Sequence, residues 1–265
     1  LDSSTLDAAT TPAGIGYASV KIATNGLMSL TGKTADGTPF TASLASSYGS
    51  DYATYGTGYL ATYRAYIKPY KTPNAFLGGW VYMVPRGDST TNSPVYHAYP
   101  TSSSDFYWAK PANTADKNYR DGFGPVGLTI SVEPWKSTVS LANTFPLSIS
   151  EAGLDNSGEN PDQLPTALAL SSTYGATVAA PSNLANPSGW SVKINPATGV
   201  FTGSFNVRRT VNGQTATLKV PVEGVVQQLL NPASDAPIAQ GFFLLPPNSD
   251  SGPTPISGRV ELVKP

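Results

Sequence analysis

The sequence predicts an all-β protein made of two related antiparallel β-meander halves, packed as a barrel or as a paired sandwich. Residues Ser19–Gly32 (SVKIATNGLMSLTG) and Ser191–Phe205 (SVKINPATGVFTGSF) both contain an alternating run, a turn rich in Asn, Thr and Gly, and a second short run. Alternation of apolar and polar residues is typical of strands that bury one face, so each segment predicts a β-hairpin. The second copy has one extra turn residue, which makes the hairpins related but not identical.

The similarity between the halves continues beyond these hairpins. Residues Ala35–Phe40 (ADGTPF) correspond to Val211–Ala216 (VNGQTA), and both Asp-Gly and Asn-Gly favour the tight turns that join antiparallel strands. Near the end of each half a Gly-Phe pair precedes a strand-like segment, Leu128–Pro134 in the first and Arg259–Pro265 in the second. An internal duplication explains this order of matching segments.

The same pattern suggests how the chain is divided. Residues 1–14 are predicted to form an extended N-terminal arm, and residues 15–135 the first β-meander half. Residues 136–185 supply connecting strands and a polar loop, and residues 186–265 the second half. The arm is either a frayed terminus or a strand that pairs with the sheet edge of a neighbouring subunit.

Individual strands are predicted from alternation, apolar runs and the intervening turn residues. Seven tyrosines in Tyr48–Tyr70 recur at helical spacing, but Gly56 and Gly58 disfavour a continuous helix. We therefore expect a loop followed by a strand, in which Tyr66 lies on the face opposite to Tyr63. The predicted strands are Tyr17–Ile22, Tyr59–Ile67, Phe76–Val84, Leu128–Val132, Val139–Glu151, Ala167–Ser172, Trp190–Ile194, Val200–Val207, Ala216–Val222, Gly224–Leu230, Gln240–Leu245 and Arg259–Val263.

Composition limits the classes of function. The 265 residues carry 16 Lys and Arg against 17 Asp and Glu, so no basic excess supports binding to nucleic acid or to an anionic membrane. Charged residues make up 12% of the chain, about half the usual share. The absence of cysteine excludes disulfides, thiolate metal sites and thiol catalysis. No segment has the roughly 20 apolar residues of a membrane-spanning helix.

The start of the chain suggests where the protein works. Leu1 is not an initiator methionine, and no hydrophobic leader follows it. Removal of a signal peptide is the simplest explanation, although a trimmed chain would look the same. We therefore expect a secreted, extracellular or cell-surface protein.

The residues offer no convincing catalytic group, and we expect no enzymatic activity. His97 is the single histidine, and no nucleophile-elbow pattern surrounds any serine. Paired carboxylates could hydrolyse glycosides, but Glu133 and Glu261 occupy corresponding positions of the two halves, which the duplication already explains.

One polar loop could hold a metal ion. Asp155, Asn156, Glu159 and Asp162 place four oxygen-bearing side chains in the segment LDNSGENPD, and calcium prefers such hard ligands. The spacing differs from that of an EF-hand, and a solvated turn is the alternative interpretation. We expect no cofactor other than a possible calcium ion.

Aromatic residues are the most suggestive candidates for binding. The candidates are Tyr52, Tyr55, Tyr107 and Trp108, which are predicted to lie in loops, and Tyr59 at the start of a strand; their flat rings can stack on sugars. Tyrosine is also enriched at contacts between subunits, so the same residues could form an interface. By contrast, two further tryptophans are expected to fill the core, namely Trp80 and Trp190.

The chain resembles a duplicated, Gly-rich β module found near the C-termini of large secreted or cell-surface proteins of environmental Gram-negative bacteria. In those proteins it commonly follows immunoglobulin-like or Calx-β repeats. The resemblance implies an extracellular setting and transfers no catalytic residue. It rests on six segments, which are Asn25–Phe40, Phe76–Tyr82, Phe106–Ala112, Asn195–Phe205, Val222–Gln228 and Gly241–Pro246.

These observations predict a non-enzymatic structural subunit of an extracellular or cell-surface assembly, such as a filament, sheath or surface layer. The alternative is a carbohydrate-binding module that uses loop aromatics. The expected partners are further copies of the chain, other surface proteins or a polysaccharide, with no nucleic acid and no membrane span.

Overall fold

The computed structural model describes residues 7–49, 60–87, 94–98, 106–133, 135–137, 140–150, 165–178, 188–211, 214–227, 237–246 and 255–263. Over these residues the fold is all-β, as predicted, without any helix. The strands are β1 (Tyr17–Ile22), β2 (Met28–Lys33), β3 (Pro39–Leu44), β4 (Ser46–Gly49), β5 (Leu60–Ile67), β6 (Phe76–Gly87), β7 (Pro94–Ala98), β8 (Phe106–Lys110), β9 (Phe123–Gly127), β10 (Asn143–Ser150), β11 (Ala167–Leu170), β12 (Ala176–Val178), β13 (Ser191–Ile194), β14 (Val200–Val211), β15 (Gln214–Val226), β16 (Ala239–Leu245) and β17 (Ile256–Leu262).

The strands form three antiparallel sheets. The first is a three-stranded sheet of order β1-β2-β3, and the second has the order β4-β5-β6-β8-β9, with β7 also paired to β6. The third sheet has eight strands in the order β12-β11-β10-β17-β16-β15-β14-β13. A bridge between Gly175 and Lys193 brings its two ends together, so this sheet curls into a nearly closed barrel.

The barrel is filled by side chains from alternate positions of its strands. Phe145, Leu147 and Ile149 of β10 point inward, as do residues of the neighbouring strands. Near the centre the ring of Trp190 stacks on that of Phe205 with centroids 5.0 Å apart. A barrel of eight strands is just wide enough for side chains to fill it, and this interior is accordingly a packed core.

A second core lies between the three-stranded and six-stranded sheets, which therefore form a sandwich. Met28 from β2, Tyr63 from β5 and Trp108 from β8 are all buried there. The Tyr63 hydroxyl donates a hydrogen bond to the Gly26 carbonyl at 3.1 Å, which joins the two sheets. Both packings that the sequence left open are thus present, a barrel in one part and a sandwich in the other.

Strand β16 connects the two cores because it is buried on both faces. Phe243 points into the barrel and is 0% exposed, whereas its neighbour Phe242 belongs to the sandwich core and is 2% exposed. The ring of Tyr17 on β1 stacks over Phe242 at 6.3 Å. The apolar run Gly241–Pro246 therefore serves two cores at once.

The two related hairpins have the geometry that the sequence predicts. Ile22 pairs with Met28 across a turn of residues 23–27, and Ile194 pairs with Phe201 across residues 195–200, one residue more. Gly26 and Gly199 end these turns with φ of 80° and 71°, a left-handed conformation that glycine adopts without a steric penalty. The extra turn residue of the second copy is confirmed.

Two strand predictions are wrong. The segment Leu128–Val132 is not a strand of the sheet; the strand is β9, immediately before it. Its alternation arises instead because Leu128, Ile130 and Val132 pack against the sandwich core while the residues between them are exposed. The two strands predicted on either side of Glu223 are one strand, since the ladder with β16 continues through Glu223 and Gly224.

The described part of the N-terminal arm packs on its own chain. Pro12 and Ala13 are buried, and the Ile15 amide donates to the Gly241 carbonyl at 3.2 Å. The Gly14 amide lies 3.3 Å from the Ser257 hydroxyl oxygen, to which it donates. Residues 7–14 therefore do not form a free extended arm, because small residues allow them to dock against the outside of the barrel.

A buried polar network fastens the sandwich to the barrel. Asp36, in the turn between β2 and β3, is fully buried and accepts hydrogen bonds from the hydroxyls of Thr34 at 2.6 Å and Tyr70 at 2.7 Å. The Ser257 hydroxyl donates to the Ala35 carbonyl at 2.6 Å. Satisfying these groups is necessary because an unpaired buried polar atom costs about 1–3 kcal/mol.

Two tyrosines of this network make the folded protein less stable at alkaline pH. Burial, reinforced by the Asp36 carboxylate, raises the pKa of the Tyr70 hydroxyl well above its usual value. Burial likewise raises the pKa of Tyr119, whose hydroxyl donates to the Ala8 carbonyl at 2.9 Å and accepts from the Ser257 amide at 2.8 Å. In the folded protein both hydroxyls therefore stay protonated at a pH where the unfolded chain has lost those protons.

We predict that the free energy of unfolding falls as the pH rises above about 10, the pKa of an unfolded tyrosine, by up to ~1.4 kcal/mol per pH unit for each such group. Tyr70→Phe should lower stability near neutral pH by about 1–3 kcal/mol but flatten the alkaline decline. Chemical denaturation at several pH values measures both effects. Tyr66→Phe, at an exposed position of the same segment, is the matched control. An unchanged alkaline slope in Tyr70→Phe would contradict the assignment.

Candidate functional site

Exposed aromatic side chains cluster on the outward face of the six-stranded sheet. In the described part of the chain, three of the five large apolar side chains that remain exposed lie here: Tyr66 at 63%, Trp80 at 40% and Tyr107 at 37%. Phe76 lies beside them and is partly exposed. We call these four residues the aromatic face. Exposed aromatic groups of this kind mark contact surfaces more often than scattered single residues do.

Strand alternation explains why these residues point outward. In β5 the side chains of Tyr63, Ala65 and Ile67 enter the sandwich core, which turns Arg64 and Tyr66 to solvent. The same rule applies to β6 and β8, where Leu77, Val81, Phe106 and Trp108 enter the core and the residues next to them along the strand turn outward. The inner apolar positions thus determine the direction of the outer aromatic ones.

The register of the strands arranges the aromatic face in rows. Tyr66 pairs with Gly78, which pairs in turn with Tyr107, so two tyrosines flank a glycine across neighbouring strands. Their Cα atoms are separated by two strand spacings, or about 10 Å. Gly78 is buried, and a Cβ atom there would lie only 2.5 Å from the Ala65 carbonyl oxygen, so only glycine fits between the two tyrosines.

Aromatic stacking and two cations order the aromatic face. The rings of Tyr66 and Phe76 are stacked, with centroids 6.3 Å apart and planes 17° apart. The guanidinium carbon of Arg64 lies 5.9 Å from the Trp80 ring centroid, and the Lys68 ammonium lies 5.7 Å from that of Tyr66. Such contacts hold the rings in place and put hydrogen-bond donors beside them.

The aromatic binding residues predicted from the sequence coincide only partly with the aromatic face. Tyr107 is exposed on the aromatic face, but Trp108 is 3% exposed and packs edge-on against Phe123 at 4.6 Å. Both lie on strand β8 and not in a loop, and consecutive strand residues point to opposite faces. Three further predicted binding residues lie outside the described residues, namely Tyr52, Tyr55 and Tyr59.

The expectation for the two core tryptophans is half right. Trp190 is buried in the barrel, whereas Trp80 is exposed beside Arg64. The run FLGGWVY looked uniformly apolar, so it gave no sign that alternate residues face solvent. Among the residues of the aromatic face, only the orientation of Tyr66 was predictable from the strand pattern. Its predicted position on the face opposite to Tyr63 is confirmed.

Carboxylates in the described strands are engaged in structural contacts. Glu223 accepts from the Tyr17 hydroxyl at 2.8 Å and pairs with the Lys33 ammonium at 2.6 Å. Burial first, and then the Glu223 hydrogen bond, raises the pKa of the Tyr17 hydroxyl. Glu261 accepts from the Gln240 amide at 3.0 Å. These pairings fasten β1 and β2 to the barrel and bridge neighbouring barrel strands.

The other candidate sites predicted from the sequence are the calcium loop and the single histidine. Asp155, Asn156, Glu159 and Asp162 lie outside the described residues, as does the side chain of His97. Within the described ranges, no group of three or more His, Asp or Glu side chains could hold a metal ion. No helix among those residues is long and apolar enough to span a membrane.

Comparisons with protein-family models, with curated proteins and with solved structures found no match to this chain. The resemblance to a module of large secreted proteins therefore stays a prediction.

We predict that removing two tryptophans lowers stability by very different amounts. Trp108→Ala should lower the free energy of unfolding by about 3–5 kcal/mol, because it opens a hole in the sandwich core. Trp80→Ala should cost less than about 1 kcal/mol, since its ring is partly solvated and loses mainly the contact with Arg64. Denaturant titration of both variants measures the difference. Equal losses would show that the aromatic face is part of the core.

Proposed function

We propose that this protein is a non-enzymatic, extracellular or cell-surface module that binds polysaccharide through its aromatic face. The observation that carries the proposal is the row formed by Tyr66, Gly78 and Tyr107, with Trp80 in the adjacent row of the same face. The proposed surface differs from the loop site expected from sequence, because only Tyr107 is common to both.

The chemistry of the aromatic face suits a sugar chain. The C–H side of a pyranose ring is apolar and flat enough to stack on an aromatic ring, while its hydroxyls seek hydrogen bonds at the edge. Arg64 and Lys68 supply such donors next to the rings of Trp80 and Tyr66.

An extracellular setting is consistent with the composition. The charged fraction of 12% and the absence of cysteine leave a surface rich in uncharged polar groups. Such a surface is little affected by ionic strength, because salt screens only interactions between charges. The proposed setting also agrees with the resemblance to modules of secreted proteins.

We predict that Tyr66→Ala, Trp80→Ala and Tyr107→Ala each weaken polysaccharide binding by about tenfold, equivalent to ~1.4 kcal/mol per lost stacking contact. Affinity electrophoresis through gels containing a panel of soluble polysaccharides measures the change. Leu27→Ala is the matched control, because Leu27 is 38% exposed but lies on the β1–β2 hairpin. Unaltered mobility of the wild type across neutral and acidic polysaccharides would exclude the proposed function.

A second candidate function is a structural subunit that assembles head to tail. Ile22 and Leu27 form a small exposed apolar tip where β1 turns into β2, and both are 38% exposed. This tip and the aromatic face are different surfaces of one chain. Contact between two different surfaces of identical chains generates rings or open filaments, whereas contact between identical surfaces gives closed dimers.

We predict for this candidate that the wild type forms high-order particles and that the double variant Ile22→Ser/Leu27→Ser reduces them to monomers. The two substitutions remove the apolar side chains that would be buried at the contact between neighbouring copies, and neither residue belongs to the barrel core or the sandwich core. Light scattering followed by negative-stain microscopy measures both species. A wild type that stays monomeric at high concentration would exclude assembly and leave polysaccharide binding as the function to test.

A further inference from the structure

A cavity of about 380 Å³ lies where the sandwich meets the barrel. Leu30 and Phe40 of the three-stranded sheet form one wall, and Val81 and Trp108 of the six-stranded sheet form another. The outer face of the barrel closes it with strands β15–β17. This volume is within the range of about 300–1,000 Å³ that is typical of small-molecule sites.

The part of the cavity inside the sandwich is apolar. Met28, Ile67, Leu77 and Phe106 line it together with the residues named above, and all four are buried. Water is a poor occupant of such a part, because a buried water molecule needs two to four polar partners. The walls instead favour an occupant with an apolar chain.

The opposite part of the cavity is polar and lies against the barrel. Lys33, Gln227, Gln240 and Arg259 all line it. The Lys33 ammonium contacts Glu223 at 2.6 Å, and the nearest Arg259 nitrogen is 4.0 Å from a Glu261 oxygen. Among the described residues that line the cavity, two are cationic and none is a carboxylate. Because Glu223 and Glu261 lie beside these two cations, this end of the cavity carries little net charge. What it offers a ligand is N–H donors, which favour a group that accepts hydrogen bonds.

The two glutamine amides at this end can also donate to a ligand. The Gln240 amide nitrogen donates to Glu261 at 3.0 Å, and that of Gln227 donates to the Ser131 hydroxyl at 2.9 Å. An amide nitrogen carries two hydrogens, and these bonds use one from each residue. Carboxylate oxygens accept such hydrogens well.

The polar end reaches the surface beside residues 128–132, the segment that follows β9. Thr129 and Ser131 of this segment line the cavity and are exposed. The hydrogen bond between Gln227 and Ser131 crosses from the barrel to this segment on the solvent side. A ligand would therefore enter with its apolar chain first and leave its head group at the mouth.

We propose that this cavity binds one long-chain carboxylic acid, with the chain between the two sheets of the sandwich and the carboxylate near Lys33, Arg259 and the two glutamine amides. The site is distinct from the aromatic face, since Trp108 and Tyr107 point to opposite sides of the same strand. Binding here neither requires nor excludes polysaccharide binding. The ligand class follows from the apolar wall, the N–H donors at the polar end and the volume.

Quenching by a brominated fatty acid tests the location of the ligand. Dibromostearate quenches only indoles that its bromine atoms contact, so it should reduce the fluorescence of the wild type in a saturable manner. Trp108→Phe should abolish this quenching, because Trp108 lines the cavity. Trp190→Phe should retain it, because Trp190 is equally buried but belongs to the barrel core. Absence of saturable quenching, or quenching that persists in Trp108→Phe, would overturn the proposal.

A cavity-filling variant provides a test that does not depend on replacing a buried tryptophan. Val20→Phe should weaken the affinity for cis-parinarate at least tenfold, since Val20 lines the cavity and a larger side chain occupies it. Ile22→Phe is the matched control, on the same face of β1 but outside the lining and exposed. Equal affinity in the two variants would contradict the proposed site.

Ligands of equal chain length test the head group. Palmitate should displace cis-parinarate at concentrations at least tenfold lower than hexadecanol, and hexadecyltrimethylammonium should be weaker still. The order follows from the N–H donors at the polar end, because a carboxylate accepts hydrogen bonds through two oxygens, an alcohol through one, and a quaternary ammonium group through none. If the cationic amphiphile bound as tightly as palmitate, the assignment of a carboxylate would be wrong.

Discussion

The double burial of strand β16 is the constraint on which the rest of the structure depends. Phe243 fills the barrel and Phe242 fills the junction with the sandwich, so a single strand contributes to both cores. A strand buried on both faces must be apolar at consecutive positions, as GFFLLP is. The sandwich cannot detach from the barrel without exposing Phe242 and the Tyr17 ring stacked on it.

Buried hydrogen bonds fix how the sandwich is oriented on the barrel, which the apolar contact alone does not. The turn at Asp36, the hydroxyls of Tyr70 and Tyr119, and the buried Ser257 form hydrogen bonds that fit one relative placement of the sheets. Apolar burial alone would tolerate sliding, since it depends on area and not on direction. Hydrogen bonds fail when donor and acceptor are misplaced, so the network fixes the register of the sandwich against the barrel.

Both proposed binding surfaces result from the same six-stranded sheet. Its outer side carries the aromatic face, and its inner side forms a wall of the cavity that contains Trp108. Because the two sides are separated only by one layer of backbone, a small change of twist in this sheet would alter both. The sheet can nevertheless present rings outward at little cost, because its stability comes from the inward positions.

The sequence by itself determined the all-β class, most strand positions, the related hairpins and the turn glycines. These features depend on local alternation and on backbone conformations that a few residues specify. It did not determine that Trp80 is exposed and Trp108 buried, or that a cavity lies against Arg259. Those properties depend on which sheets pack together and on which side, and contacts between residues far apart in the chain decide that.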